Sequence, residues 1–163
     1  MRMAVDVQEK FLELPIVGVL ATLRADGRPY TVPVWWLHDA GAFWISGTTS
    51  RVWCRQLERD PRASLCIESA DPVMRHVEVD GRCARLAPPE FDVWPISRRL
   101  VEKYVGRGDP ANAPAVEAFF ANMRSEPRIL FRLDPEVWRA IDLTVYRGKR
   151  ADREHQARAR AGG

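Results

Sequence analysis

Residues 16–37 read IVGVLATLRADGRPYTVPVWWL, residues 42–68 read AFWISGTTSRVWCRQLERDPRASLCIE, and residues 75–86 read RHVEVDGRCARL. Three hairpin-like β runs surround one short, arginine-bearing helix. In the middle segment a strand ends in small hydroxyl residues and passes directly into a helix start. Such a junction suits an anion, because the first turn of a helix carries unsatisfied N–H groups and the positive end of the helix dipole.

Working outward, residues 5–13 are predicted to be helical and are stopped by Pro15. Residues 16–23 form a strand, followed by a turn at Ala25-Asp26-Gly27-Arg28 in which glycine takes positive φ. Residues 30–37 form a second strand. Its Pro33 cannot donate to a ladder and therefore marks an edge, a bulge or a barrel corner. A third strand spans 42–46. A helix over 51–59 follows, with Thr49 or Ser50 as its N-cap and Asp60-Pro61 as its stop. Strands over 62–69 and 75–86 come next. Pro88-Pro89-Glu90 opens a helix reaching Tyr104, residues 111–124 form another, and strands over 128–133 and 138–143 meet at Asp134-Pro135. Many short strands with interspersed helices indicate a small, mostly β barrel with helical decorations, not a parallel α/β sheet.

The 163 residues suffice for one domain with its own core. The longest apolar runs are too short to span a bilayer. The N-terminus, MRMAVDVQEKF, has no apolar stretch after its charge, which points to a cytoplasmic protein. Residues 147–163 carry six Lys/Arg and two Asp/Glu, so the tail holds +4 of a net +3 and the body is close to neutral. The chain therefore divides into a domain over 1–146 and a basic tail over 147–163. The tail reads as a solvated terminus, and nucleic-acid binding is its alternative. Cys54, Cys66 and Cys83 have no CxxC or Cys/His spacing and read as buried, reduced thiols. No metal site is expected, since His38, His76 and His155 lie at no ligand spacing. Motifs for nucleophilic, nucleotide-hydrolysing or zinc-protease chemistry are absent, and no general acid or base can be nominated.

The ordered segments resemble the pyridoxamine 5′-phosphate oxidase-like superfamily, the split β-barrel flavoproteins and their F420-dependent relatives. VGVLATLRADGRPYTVPVWW is similar to the first hairpin of that family, TTSRVWCRQLERDPRASLCIE to its phosphate loop, helix and following strand, and RHVEVDGRCARL to its "V-x-V-x-GRA" strand. The resemblance covers about residues 12–143. It implies a split β-barrel (FMN-binding-like barrel), a homodimer with cofactor sites at the subunit interface, and hydride transfer between FMN or F420 and a small organic molecule.

Position by position, the resemblance places a cofactor phosphate near Thr48, Thr49, Ser50 and Arg51, and a ring along Val32, Pro33, Val34, Trp35 and Trp36. It places His76 where the flavin-binding oxidases usually have a cofactor-contacting Gln. The family's Arg-x-Lys becomes Arg51-Val52-Trp53 here, so Trp53 removes a cation. Arg55, at i+4 from Arg51, is the candidate to offset the loss.

Plainer readings stand beside these. Arg51 and Arg55 can be exposed helix arginines paired with Glu58 or Asp60. His38 and His76 can be ordinary turn or sheet residues, and Asp26 and Asp80 turn residues before glycines. Trp35 and Trp36 point to opposite faces of a strand, one into the core and the other free to line a groove. The Pro33-Val34-Trp35 strand and the GRCARL strand resemble the F420-dependent branch of that superfamily more closely, so the resemblance favours F420 over FMN. The rival to an enzyme is a non-enzymatic protein of the same fold that holds flavin, haem or another tetrapyrrole.

Overall fold

A computed structural model describes residues 2–69 and 74–144. Seven strands, β1 (Gly18–Leu23), β2 (Pro29–Val34), β3 (Leu37–Asp39), β4 (Ala42–Thr48), β5 (Arg62–Ser69), β6 (Arg75–Leu86) and β7 (Arg128–Asp142), form one antiparallel sheet ordered β2-β1-β5-β6-β7-β4-β3. Four helices accompany it: α1 (Val5–Glu13), α2 (Val52–Arg59), α3 (Trp94–Val101) and α4 (Ala113–Met123). Strands β2 and β3 lie at opposite edges of the sheet, yet only Trp35 and Trp36 separate them in sequence. The sheet is not closed, and the fold is a split β-barrel.

Alternation along each strand sends one set of side chains into the barrel. Leu20, Phe43, Ile45, Leu65, Ile67, Val77, Val79 and Leu133 are fully buried. Their outward neighbours Val19, Cys66 and Glu78 lie side by side across β1, β5 and β6. Edge strand β2 carries Pro33, as expected of a residue that cannot donate to a second neighbour.

Several sequence expectations are corrected. The second strand breaks after Val34 because Trp35 and Trp36 cross the opening between the two edges. The final two strands are one strand, β7. Its Pro135 faces Gly81 at the bulge between Asp80 and Gly81, where a missing N–H interrupts no regular ladder. Asp80 is therefore a ladder residue, bonded to Ser64 at 2.7 Å and Arg139 at 3.0 Å. The helix expected from Pro88 begins at Trp94. Asp92 accepts the Trp94 N–H at 3.1 Å there, and Pro95 occupies the first turn. After Val101 the chain widens into a π-helical turn, Glu102–Gly106. Cys54 and Cys83 are buried, but Cys66 is exposed on the outer face of β5. The tail expected over 147–163 lies outside the described residues. Among the described residues no helix is long and apolar enough to cross a membrane, and no cluster of His, Cys, Asp or Glu is arranged to hold a metal.

Candidate functional site

Helix α2 leaves β4 through Thr48, Thr49 and Ser50, and it is pinned against β1. Buried Thr22 donates to Gln56 Oε1 at 2.6 Å, and Arg59 donates to the Leu23 carbonyl at 2.6 Å. Gly47 brings the helix close to the sheet, since a Cβ there would fall 2.5 Å from Cys54 Sγ and 2.8 Å from the Trp53 ring. Trp53 thus lies in the core, 4% exposed, against Phe131 with ring centroids 5.6 Å apart.

The N-cap of α2 is Arg51, not Thr49 or Ser50, and no side chain caps it. Thr48 and Ser50 instead bond each other at 3.1 Å, and Thr49 is exposed. The first-turn N–H groups are therefore left without a side-chain acceptor. The ion pairs considered for the helix arginines do not form. Glu58 pairs with Arg85 at 2.7 Å and Asp60 with Arg62 at 2.7 Å. Arg55 donates to the Ser50 carbonyl at 3.0 Å, bracing the loop. The Arg51 guanidinium has no hydrogen-bond or ion-pair partner among the described residues.

Arg51 faces a cavity of about 230 Å³. Pro33, Val34, Trp35 and Trp53 line it from the set singled out in the sequence. Ser46 of β4, Leu100 of α3, Phe119 and Met123 of α4, and Arg128 of β7 complete it. Trp35 forms a wall, stacked on Tyr104 at 4.9 Å and tilted against Phe119 at 5.3 Å. Val32 and Trp36 turn into the core, Trp36 completely. Thr48 and Arg128 are register partners across β4 and β7. His76 lies outside this cavity, on the outer face of β6, 3.4 Å from Glu78.

The sequence reading missed Ser46, Leu100, Phe119, Met123 and Arg128, of which Arg128 and Ser46 are polar. Arg128 is 11% exposed, with Nε buried and unpartnered and the far end of its guanidinium paired with Glu126. The Ser46 hydroxyl is likewise buried without a partner. Arg128 opens β7 some 77 positions after Arg51 in the chain, and only strand pairing brings the two together. The cavity thus gathers hydrogen-bond donors lacking acceptors, which fits an anionic, oxygen-rich group, beside aromatic rings that fit a flat one.

A sequence profile of the pyridoxamine 5′-phosphate oxidase family matches residues 5–142. The chain belongs to the pyridoxamine 5′-phosphate oxidase family. Solved structures of similar fold include an F420 reductase, at 25% identity and TM-score 0.60 over 80% of this chain and 94% of the other. A conserved hypothetical protein of Mycobacterium tuberculosis matches at 24% identity and TM-score 0.65, over 86% and 85% of the two chains. The haem storage protein of Vibrio cholerae matches at 17% identity and TM-score 0.61, over 84% and 92%.

Proposed function

We propose that the protein is an F420- or FMN-dependent oxidoreductase, with F420 favoured, that acts on a small organic substrate as a homodimer. The observation that carries this reading is the cavity beside α2, where the unpaired Arg51, the Arg128 Nε and the Ser46 hydroxyl converge beside Trp35 and Phe119. Arg51, Arg128 and Ser46 would hold the cofactor's phosphate. Trp35 and Phe119 would orient its ring, and buried Trp53 would keep water from the phosphate. A bound flavin or deazaflavin supplies the hydride chemistry, and the protein supplies orientation and electrostatics.

A homodimer is supported by size and surface. The cavity is smaller than the roughly 300–1,000 Å³ of a complete small-molecule site. Beside it lies an apolar outer face with Val17 and Val19, each 45% exposed, and with Pro33 and Cys66. A second copy laid on this face would cover it and enlarge the site. His76 and Glu78 share that face, so in such a dimer His76 would serve the partner's cavity and not its own.

Titrating the purified protein with FMN and with F420, as wild type and as Arg51→Ala, tests the reading. Loss of one charge-assisted phosphate contact costs roughly 1.5–3 kcal/mol, about ten- to a hundredfold in Kd. Tight binding of one cofactor that weakens by that factor supports the proposal. Binding of neither, with a Soret band appearing on addition of haem, would replace it with a tetrapyrrole-binding role.

A further inference from the structure

We propose that helix α4 is a hinged gate on the cavity, with Phe119 as its plug and the Arg98–Glu117 ion pair as its latch. The inference rests on the reading above, which seats a flat ring against Trp35, and it adds how that seat is opened.

Two rings flank Trp35 in the ligand-free protein. Tyr104 lies parallel to it at 4.9 Å, and Phe119 is tilted by 34° against it at 5.3 Å. Stacked faces stand about 3.5 Å apart, so a ring seated between Trp35 and one of these neighbours needs about 7 Å between them. Neither gap is that wide, and one neighbour must therefore yield. Tyr104 is buried, and its hydroxyl is held by hydrogen bonds to Trp36 and to the Ile16 carbonyl. Phe119 is 41% exposed. Phe119 is the one free to move, and it can close again on the seated ring.

The mounting of α4 allows that movement. Among the described residues none of α4 belongs to the core of the barrel. Its buried Val116 and Met123 pack instead with Val101 of α3 in a small separate core, whereas the preceding Leu100 belongs to the barrel. The loop before α4 contains Arg107 and Gly108, both left-handed at φ 52° and 70°, and residues 124–127 join the helix to β7. A few loop residues of this kind suffice to absorb the backbone change of a hinge. Across the α3–α4 contact the Arg98 guanidinium grips Glu117 with two hydrogen bonds, of 3.0 and 2.5 Å, and Glu102 with a third of 2.7 Å. Glu117 lies two residues from Phe119 and outside the cavity lining, so the pair acts on the cavity only by holding the helix.

Native-state hydrogen exchange on the ligand-free protein reads the hinge. Amides of α4 should exchange ahead of those of β4 and β6, through an opening that denaturant hardly changes. Glu117→Gln should raise α4 exchange about two- to fivefold, as for loss of one exposed ion pair, with β4 and β6 unchanged. Stopped-flow association of FMN and of F420 reads the plug. Phe119→Ala should raise the association rate about two- to tenfold, the worth of one aromatic pair. Glu117→Gln should raise it in step with α4 exchange, which a fixed wall would not do.

Exchange of α4 only together with the strands, or association that neither substitution accelerates, would overturn the inference. The proposed function would survive that result if Arg51→Ala still weakened binding. If neither cofactor bound, the proposed function would fall, and exchange at α4 in wild type and Glu117→Gln would alone decide for or against the gate.

Discussion

The Tyr104 hydroxyl lies 3.2 Å from both the backbone N and the carbonyl oxygen of Trp36, inside the opening between the two edges of the barrel. It is also 2.9 Å from the Ile16 carbonyl, which additionally accepts Trp36 Nε1–H at 2.7 Å. One side chain from the π-helical turn thereby satisfies backbone groups that no strand pairs, and its ring stacks on the cavity wall, Trp35.

Tyr104→Phe keeps that stack and removes the hydroxyl. The Trp36 N–H loses its acceptor, so the cost is that of a buried unsatisfied group, roughly 1–3 kcal/mol, not that of an average hydrogen bond. Urea unfolding should show a lower midpoint at unchanged m-value. An unchanged midpoint would mean that the opening is held by packing alone.

Lys103 reaches across the same region. Its ammonium donates to the Leu12 carbonyl at 2.9 Å, near the end of α1, and lies 3.3 Å from the Trp36 ring centroid. Burial draws its pKa down from 10.5 to about 7, with Glu13 opposing. Between about pH 7 and 10.5 the unfolded chain binds a proton that the folded chain has released, so stability from this group rises with pH. Below pH 7 both states are protonated and the burial cost is fully present. Lys103→Met should remove this segment of the stability–pH curve, measured by denaturant midpoints from pH 6 to 10.

Gly47→Ala should drive α2 off β4, because the new Cβ would meet Cys54 Sγ at 2.5 Å and the Trp53 ring at 2.8 Å. Overpacking of this kind costs roughly 1–3 kcal/mol. Adding Cys54→Ala should recover part of the loss. A neutral Gly47→Ala would show that α2 rides loosely on the sheet.

The three thiols should separate by reactivity. Burial pushes Cys54 and Cys83 up to about 12, and neither should alkylate until the protein unfolds. Exposed Cys66 should label in the native state, at a rate that falls as protein concentration rises and the β1–β5 face is covered by a second copy. A concentration-independent rate would count against that face as the subunit contact.

Helix α1 and strands β5 and β6 begin and end where the sequence alone places them. Their limits are local matters: alternation of apolar residues, a proline or glycine at the boundary, and turn chemistry between. The order of strand, hydroxyl loop and arginine-bearing helix, and hence the family likeness, was legible for the same reason. Three features depend on partners distant in the chain, and tertiary structure alone decided them. Pro135 continues one strand because Gly81 bulges opposite it. Trp35 and Trp36 leave the sheet because the two edges must be bridged, with Tyr104 available to satisfy them. Arg128, unremarkable at the start of a strand, joins Arg51 only through the pairing of β7 with β4. Local sequence sets where an element starts, but a cavity's charge is the sum over elements that pairing brings together.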